Sequence, residues 1–192
     1  NLEEMIGKIK DIPLIYDPGT RWSYSVSVDI QGYIVQKISG QKFGDYLKAN
    51  IFTPLGMNET AFILPEDKAA RFADVYGWDK TKNMLAIQPP APFTRYDAAS
   101  EMESGGGGLI STAHDYARFS QMLLNKGTLD SNRILGRKTV EYMTANQLDG
   151  DVDVSRLHEF AVEHMDGFGF GLGVAVRTQA GVAGVPGTPG EF

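Results

Sequence analysis

The sequence predicts an α+β protein, mostly helical and turning to strand near Phe168. Three observations lead there. Apolar residues recur at helical spacing in several separate stretches. Gly and Pro punctuation closes each of these stretches. Clear period-two alternation appears in one place, "FGFGLGVAVRT" at residues 168–178.

In chain order, Leu2, Met5, Ile6 and Ile9 fall at i, i+3, i+4 and i+7 and predict a short amphipathic helix over residues 1–11. "YDPGT" is turn chemistry, with Pro18 fixing φ and Gly19 free to take a positive one. The next helix is expected to begin near Ser23 or Ser25, whose hydroxyls can cap free N–H groups. Its apolar stripe would be Val26, Ile30, Tyr33, Ile34 and Ile38, with Gly40 ending it. A shorter helix follows, with Phe43, Tyr46, Leu47 and Ile51 on one side and Pro54 and Gly56 as its stop. "PEDKAARFADVYGW" holds a helical turn or two. "NMLAIQPPAPFTRYDAAS" reads as loop or extended strip, because Pro89, Pro90 and Pro92 block helix.

The clearest helix is "TAHDYARFSQMLLNKG". Thr112 is its N-cap and Asp115 the acid of a capping box. Tyr116, Phe119, Met122 and Leu123 form the expected buried face, and Gly127 is the C′ residue. "RKTVEYMTANQL" is a further helix, and the acidic "DGDVDVSR" a loop. The alternating run at 168–178 reads as one strand, which cannot make a sheet alone and must pair with strands outside this sequence. Both ends of the chain read as cuts through a longer polypeptide.

Composition narrows the chemistry. A net charge of -6 without a basic patch argues against nucleic acid and anionic membrane surfaces as partners. The absence of cysteine excludes disulfides, thiolate metal sites and thiol nucleophiles. No apolar run reaches the roughly 18 residues of a membrane span. His114, His158 and His164 are far apart and show no metal-binding spacing, and Asp149–Asp153 misplaces the Gly and Glu of a calcium loop, so neither metal nor cofactor is expected.

Three stretches remain as candidate sites. "SGGGGL" at residues 104–109 lacks the Lys-Ser/Thr ending of a phosphate loop; its glycines suit either a wall beside a binding site or a tight packing joint. Ser39-Gly40-Gln41-Lys42 matches S-x-x-K, yet it falls at a helix end, where Lys cannot lie one helical turn beyond Ser. Tyr24 is either a proton-transfer residue, its phenolate stabilised by Arg21 or another cation, or an aromatic anchor of the turn-helix junction alongside Trp22.

The run "PGTRWSYSVSVDIQGYIVQKISGQKFGDYLKANIFTPLGMNETAF" resembles the middle of the serine β-lactamase-like hydrolases: class C β-lactamases, D-alanyl-D-alanine carboxypeptidases and family VIII carboxylesterases. "SGGGGLISTAHDYARFSQMLLNKGTL" is similar to that family's Gly-rich segment and following helix. "GFGFGLGVAV" is similar to its late strand, and "PGTPGEF" to the lead-in to its last active-site motif. The resemblance runs in order along nearly the whole chain. It implies a β-lactamase/transpeptidase-like fold, with residues 1–165 as the mostly helical subdomain and 166–192 as the start of the α/β subdomain.

The resemblance also implies a mechanism. A Ser attacks a carbonyl, a Lys one helical turn later deprotonates it, a Tyr moves the proton, and water releases the acyl group. Tyr24 falls where that Tyr stands, in a Y-x-N position reading Tyr24-Ser25-Val26. Val26 in place of Asn departs from the lactamase and carboxypeptidase pattern and agrees with the esterase branch. A short-chain ester is therefore the expected substrate, a β-lactam or peptidyl amide the alternative, and a non-catalytic binding module that kept the fold a third reading. Tyr24 is the implied catalytic residue; Ser25, Gly105, Gly106 and Gly107 are the implied substrate contacts. The Ser and Lys of the reaction are expected from the remainder of the same polypeptide or from a complementary chain.

Overall fold

A computed structural model describes residues 1–20, 22–88, 96–97, 101–148, 166–182 and 184–192. Helices supply most of the core and hairpins decorate it, an α+β arrangement. Helix α1 (Leu2–Ile9) opens with a full capping box: Asn1 accepts from the Glu4 amide at 3.0 Å, and Glu4 answers the Asn1 backbone. Leu2 is its buried anchor, and Glu3 pairs with Lys37 of the next helix at 2.8 Å.

Helix α2 (Ser27–Ser39) departs from expectation at its start and on its buried face. Val26 is the N-cap and offers no side-chain bond, so neither Ser23 nor Ser25 caps it. The buried residues are Asp29 and Gly32, whereas Ile34 and Ile38 are exposed. Gly32 decides this orientation. A Cβ there would stand 3.0 Å from the Phe43 ring, so the missing side chain lets helix α3 (Phe43–Leu47) lie close. Gly40 ends α2 as expected, in the left-handed region at φ 68°.

The chain runs from α3 through a π-turn (Lys48–Phe52) into α4 (Thr53–Leu55). Pro54 does not stop this run. It sits in the first turn of α4, where its missing N–H leaves no bond unmade, and the wider π-turn precedes it. Gly56, at φ 65°, is the terminator. Phe52, Leu55 and Met57 then pack with Met122, Leu123 and Val140, the larger of two buried clusters; Leu2, Phe43 and Phe62 form the other.

A 3-10 helix (Glu66–Arg71) fulfils the one or two turns read from the sequence. The hairpin pairing of β1 (Tyr76–Asp79) with β2 (Met84–Ile87) was not expected, although residues 84–87 take the extended form that was one of the two readings of that stretch. Its turn is local chemistry: Asp79 accepts from the amides of Thr81 (2.9 Å) and Lys82 (3.1 Å), and Asn83 takes φ 52°.

Helix α5 (Ala113–Leu124) is capped by Thr112, which accepts from the Asp115 amide at 3.1 Å. Asp115 itself does not close a capping box. Its carboxylate is buried and accepts instead from the Glu59 amide at 2.8 Å and the Thr60 hydroxyl at 2.9 Å. Met122 and Leu123 are buried as expected, but Tyr116 is exposed. The C-terminus is a Schellman turn with Lys126 (φ 59°) at C′ and Gly127 one place later than read, bonded from its amide to the Met122 carbonyl. A tight hairpin follows, β3 (Thr128–Leu129) and β4 (Asn132–Arg133), with both loop residues Asp130 and Ser131 at positive φ. Helix α6 (Arg137–Met143) completes the helical part.

The period-two run is not one strand. It folds on itself as β5 (Phe168–Phe170) and β6 (Ala175–Arg177), antiparallel, with Gly173 at φ 91° in the turn. Its partner strand thus lies within this chain. No described helix is long and apolar enough to cross a membrane. The acidic loop at 149–156 lies outside the described residues.

Candidate active site

Tyr24 is delivered by two local devices. Asp17, Pro18, Gly19 and Thr20 make the pattern of a type II turn, with Gly19 at φ 82° and the Thr20 amide and hydroxyl both donating to the Asp17 carbonyl. Residues 22–24 then belong to no helix or strand, and α2 begins three residues after Tyr24. Trp22 and Tyr24 part company here. The Trp22 ring is half-buried, 5.1 Å from Phe170 of β5 and 6.2 Å from Tyr24. Tyr24 is 47% exposed, so Trp22 is the anchor and Tyr24 the presented side chain. Ser25 and Val26 are exposed beside it. Arg21, the cation nearest in sequence, lies outside the described residues.

The Gly-rich strip is bolted to the same end of α2. Ser104 donates its hydroxyl to Asp29 Oδ1 at 2.5 Å, and the Gly106 amide reaches the same oxygen at 3.4 Å. Glu103 accepts from the Gly44 amide in the first turn of α3 at 2.8 Å. An α-turn from the Gly108 amide to the Ser104 carbonyl, 3.0 Å, closes the loop. Ala61 and Ile110 pair as an antiparallel bridge and fix its far end.

These bonds explain the four glycines separately. A Cβ on Gly105 would stand 2.5 Å from the Val28 carbonyl, and one on Gly106 3.0 Å from the Asp29 carboxylate. A Cβ on Gly108 would stand 2.9 Å from the Ser104 carbonyl. All three are close-approach positions. A Cβ on Gly107 would meet nothing within 4 Å, at the exposed tip of the turn. The packing-joint reading holds at Gly105, Gly106 and Gly108, and Gly107 is an exposed tip.

Asp29 and Ser104 were missed by sequence reasoning. They are separated by 75 residues, and an Asp at the third position of a helix is ordinarily read as a dipole-matching charge. The S-x-x-K match is broken as expected: Ser39 is the last residue of α2, Gly40 turns left-handed, and Lys42 starts α3. Among the described residues no group of three His, Asp or Glu could hold a metal. His114 is exposed beside Asp115, and His158, His164 and Asp149–Asp153 lie outside the described residues.

Away from Tyr24, Glu59, Lys68 and Arg71 border a cavity of about 100 Å³ floored by Ala61, Leu64 and Ile110. Arg71 grips Glu59 with two bonds (2.5 and 3.0 Å) and Lys68 adds a third contact at 3.1 Å. Hydrogen bonds from Arg71, then Lys68, hold the Glu59 carboxyl at about 2.

Residues 1–191 match the Beta-lactamase family, and the chain belongs to that family of serine hydrolases. It is 32% identical over 176 residues to protein Rv1367c of Mycobacterium tuberculosis, covering 90% of this chain and 42% of that one. It is 30% identical over 131 residues to the esterase EstB of Burkholderia gladioli, covering 62% of this chain and 33% of that one. Among solved structures it superposes on a mutant of simvastatin synthase (LovD) from Aspergillus terreus with a TM-score of 0.74 and 25% identity, covering 93% of this chain and 45% of that chain. The fold is therefore β-lactamase/transpeptidase-like, and the chain spans less than half the length of these relatives.

Proposed function

We propose that this chain carries one part of the active site of a carboxylesterase acting on short-chain esters through an acyl-serine intermediate. Residues 1–165 are the mostly helical subdomain in this reading, and 166–192 the start of the α/β subdomain. The remainder of the same polypeptide, or a complementary chain, brings the Ser and Lys. The observation that carries the reading is the presentation of Tyr24: half-exposed, backed by Trp22 against β5, at the start of a helix whose first turn also seats the Gly-rich strip.

Tyr24 would then pass the serine proton toward the leaving alkoxide, the general acid/base role a phenol can take beside cations. Ser25 contacts the substrate from the same stretch. Gly107, with its flank open, would wall the acyl site, while Gly105 and Gly106 set the wall's height. Val26, exposed beside Tyr24, puts an apolar side chain where an amide would bind a β-lactam or peptide, which favours esters over the lactam and peptidase alternatives. The esterase EstB among the relatives is in keeping with this preference.

The test is Tyr24→Phe in the full-length polypeptide, with p-nitrophenyl acetate or butyrate as substrate. Turnover is expected to fall by about 10²–10⁴-fold, the usual loss of a general acid/base, with the unfolding midpoint retained. Unchanged turnover would remove Tyr24 from the mechanism.

A further inference from the structure

Asp29 is an unusual carboxylate. It is 7% exposed, and among the described residues no Lys or Arg pairs with it. Burial of a charge without a counter-ion opposes folding unless hydrogen bonds replace its water. Here the replacements are the Ser104 hydroxyl, the Gly106 amide and the positive end of α2, whose third residue it is. The carboxylate joins two elements that also approach closely through glycine backbone at Gly105 and Gly106. One of them begins three residues after Tyr24; the other ends in the open tip at Gly107.

We propose that Asp29 is a positioning residue of the active site: through Ser104 and Gly106 it fixes the distance between Tyr24 and the Gly107 tip, and so sets how tightly the substrate is held. The proposal rests on the reading of Tyr24 and the Gly-rich strip as two sides of one site. The proton-transfer step itself belongs to Tyr24, so loosening the clasp acts on substrate binding more than on chemistry.

The experiment uses the full-length polypeptide, with Asp29→Ala, Asp29→Asn, Ser104→Ala and the double variant Asp29→Ala/Ser104→Ala. Steady-state kinetics on p-nitrophenyl butyrate are measured well below the unfolding midpoint of each. A charge-assisted bond of this kind controls about tenfold or more in an equilibrium. Asp29→Ala and Ser104→Ala are therefore each expected to raise KM about tenfold with kcat changed by less than about twofold. The double variant is expected to match the single ones, because both break the same bond. Asp29→Asn keeps the side-chain shape and one acceptor oxygen and is expected to restore most of the affinity.

Hydrogen exchange at the amides of Gly106 and Gly107 is read on the same proteins and is expected to quicken alike in both single Ala variants. A fall in kcat at constant KM, additive KM effects in the double variant, or unchanged exchange at Gly106 each overturns the proposal. The exchange measurement does not depend on turnover. If Tyr24→Phe leaves activity intact while exchange still couples Asp29 to Ser104, it is the reading of the catalytic site that has failed. If exchange couples the pair but KM stays fixed, the clasp is structural and the positioning role has failed.

Discussion

Gly105 and Gly107 stand two residues apart in the same turn and make opposite predictions. At neither is φ in the left-handed region, so an alanine is not strained by backbone conformation at either place. At Gly105 the added methyl would lie 2.5 Å from the Val28 carbonyl oxygen, well inside the 3.4 Å at which ordinary contact begins. That oxygen is backbone in the first turn of α2 and cannot swing away as a side-chain end would. The strip must lift off the helix, and with it the bonds from Ser104 and Gly106 to Asp29. Overpacking of this kind costs about 1–3 kcal/mol, and loss of the Asp29 bonds adds about 1.5–3 kcal/mol more. Gly105→Ala is thus expected to lower the unfolding midpoint by roughly 5–20 °C, at about 2–4 °C per kcal/mol for a chain of this size. Gly107→Ala meets open space. It is expected to be neutral or to stabilise by about 0.4–1 kcal/mol through the unfolded chain. Thermal and urea unfolding of the two variants side by side is the assay. Equal effects of the two substitutions, or a destabilising Gly107→Ala, would refute the division of this turn into joint and tip.

Two further outcomes test the helical core and the charge cluster. Met122 is 1% exposed in the larger buried cluster, so Met122→Ala is expected to destabilise by about 2–5 kcal/mol in urea unfolding. A loss below about 1 kcal/mol would show that this cluster does not hold the helices together. Glu59 has its carboxyl held at about 2, below its ordinary value of 4.5, by Arg71 and Lys68. A lowered native pKa contributes stability that is present above the unfolded value and is lost as pH falls through the native one. The difference in midpoint between Glu59 and Glu59→Gln is therefore expected to be full at pH 6 and to vanish between about pH 4.5 and 2. It should also shrink with added salt, since the cluster is partly exposed. A difference that survives below pH 2 would assign the role of Glu59 to packing.

Helix ends were the most legible part of the fold because caps depend on residues three or four places apart. Gly40, Gly56 and Thr112 act where the sequence puts them. Faces were less legible. The α2 stripe of Ile34 and Ile38 has the right spacing, yet the side that packs is chosen by a partner, the Phe43 ring lying over Gly32. The same reason hides β1 and β2, whose Tyr76, Trp78, Leu85 and Ile87 all point outward at more than half exposure. A buried-face pattern cannot mark a hairpin that buries neither face. Period two at 168–178 was real within each arm, but the pairing of Phe168 with Arg177 and Phe170 with Ala175 puts Val176 on the face of Gly169, opposite Phe168 and Phe170. The glycines at 171 and 173 were the signal that it folds back.

The site divides along the same line. Tyr24 was legible because its motif is contiguous, and the glycines because four together demand close approach. What joins them was not, because Asp29 and Ser104 meet across 75 residues and neither stands in a pattern of its own. Each carries a plausible local role, a helix-start acid and a loop serine, that satisfies a reader of spacing. The burial of Asp29 and the shared bond give the pair its weight, and both follow from how α2 packs rather than from any run of residues. Trp22 is a parallel case. Its position in the motif suggested an anchor in common with Tyr24, but the contact with Phe170, on a hairpin about 150 residues later by simple chain position, half-buries Trp22 while Tyr24 stays 47% exposed. In the proposed site, the place of Tyr24 is thus set by local sequence, and its surroundings by contacts that only the folded chain supplies. Substitutions at Asp29, Ser104 and Trp22 should therefore change how the site binds, while those at Tyr24 should change what it does.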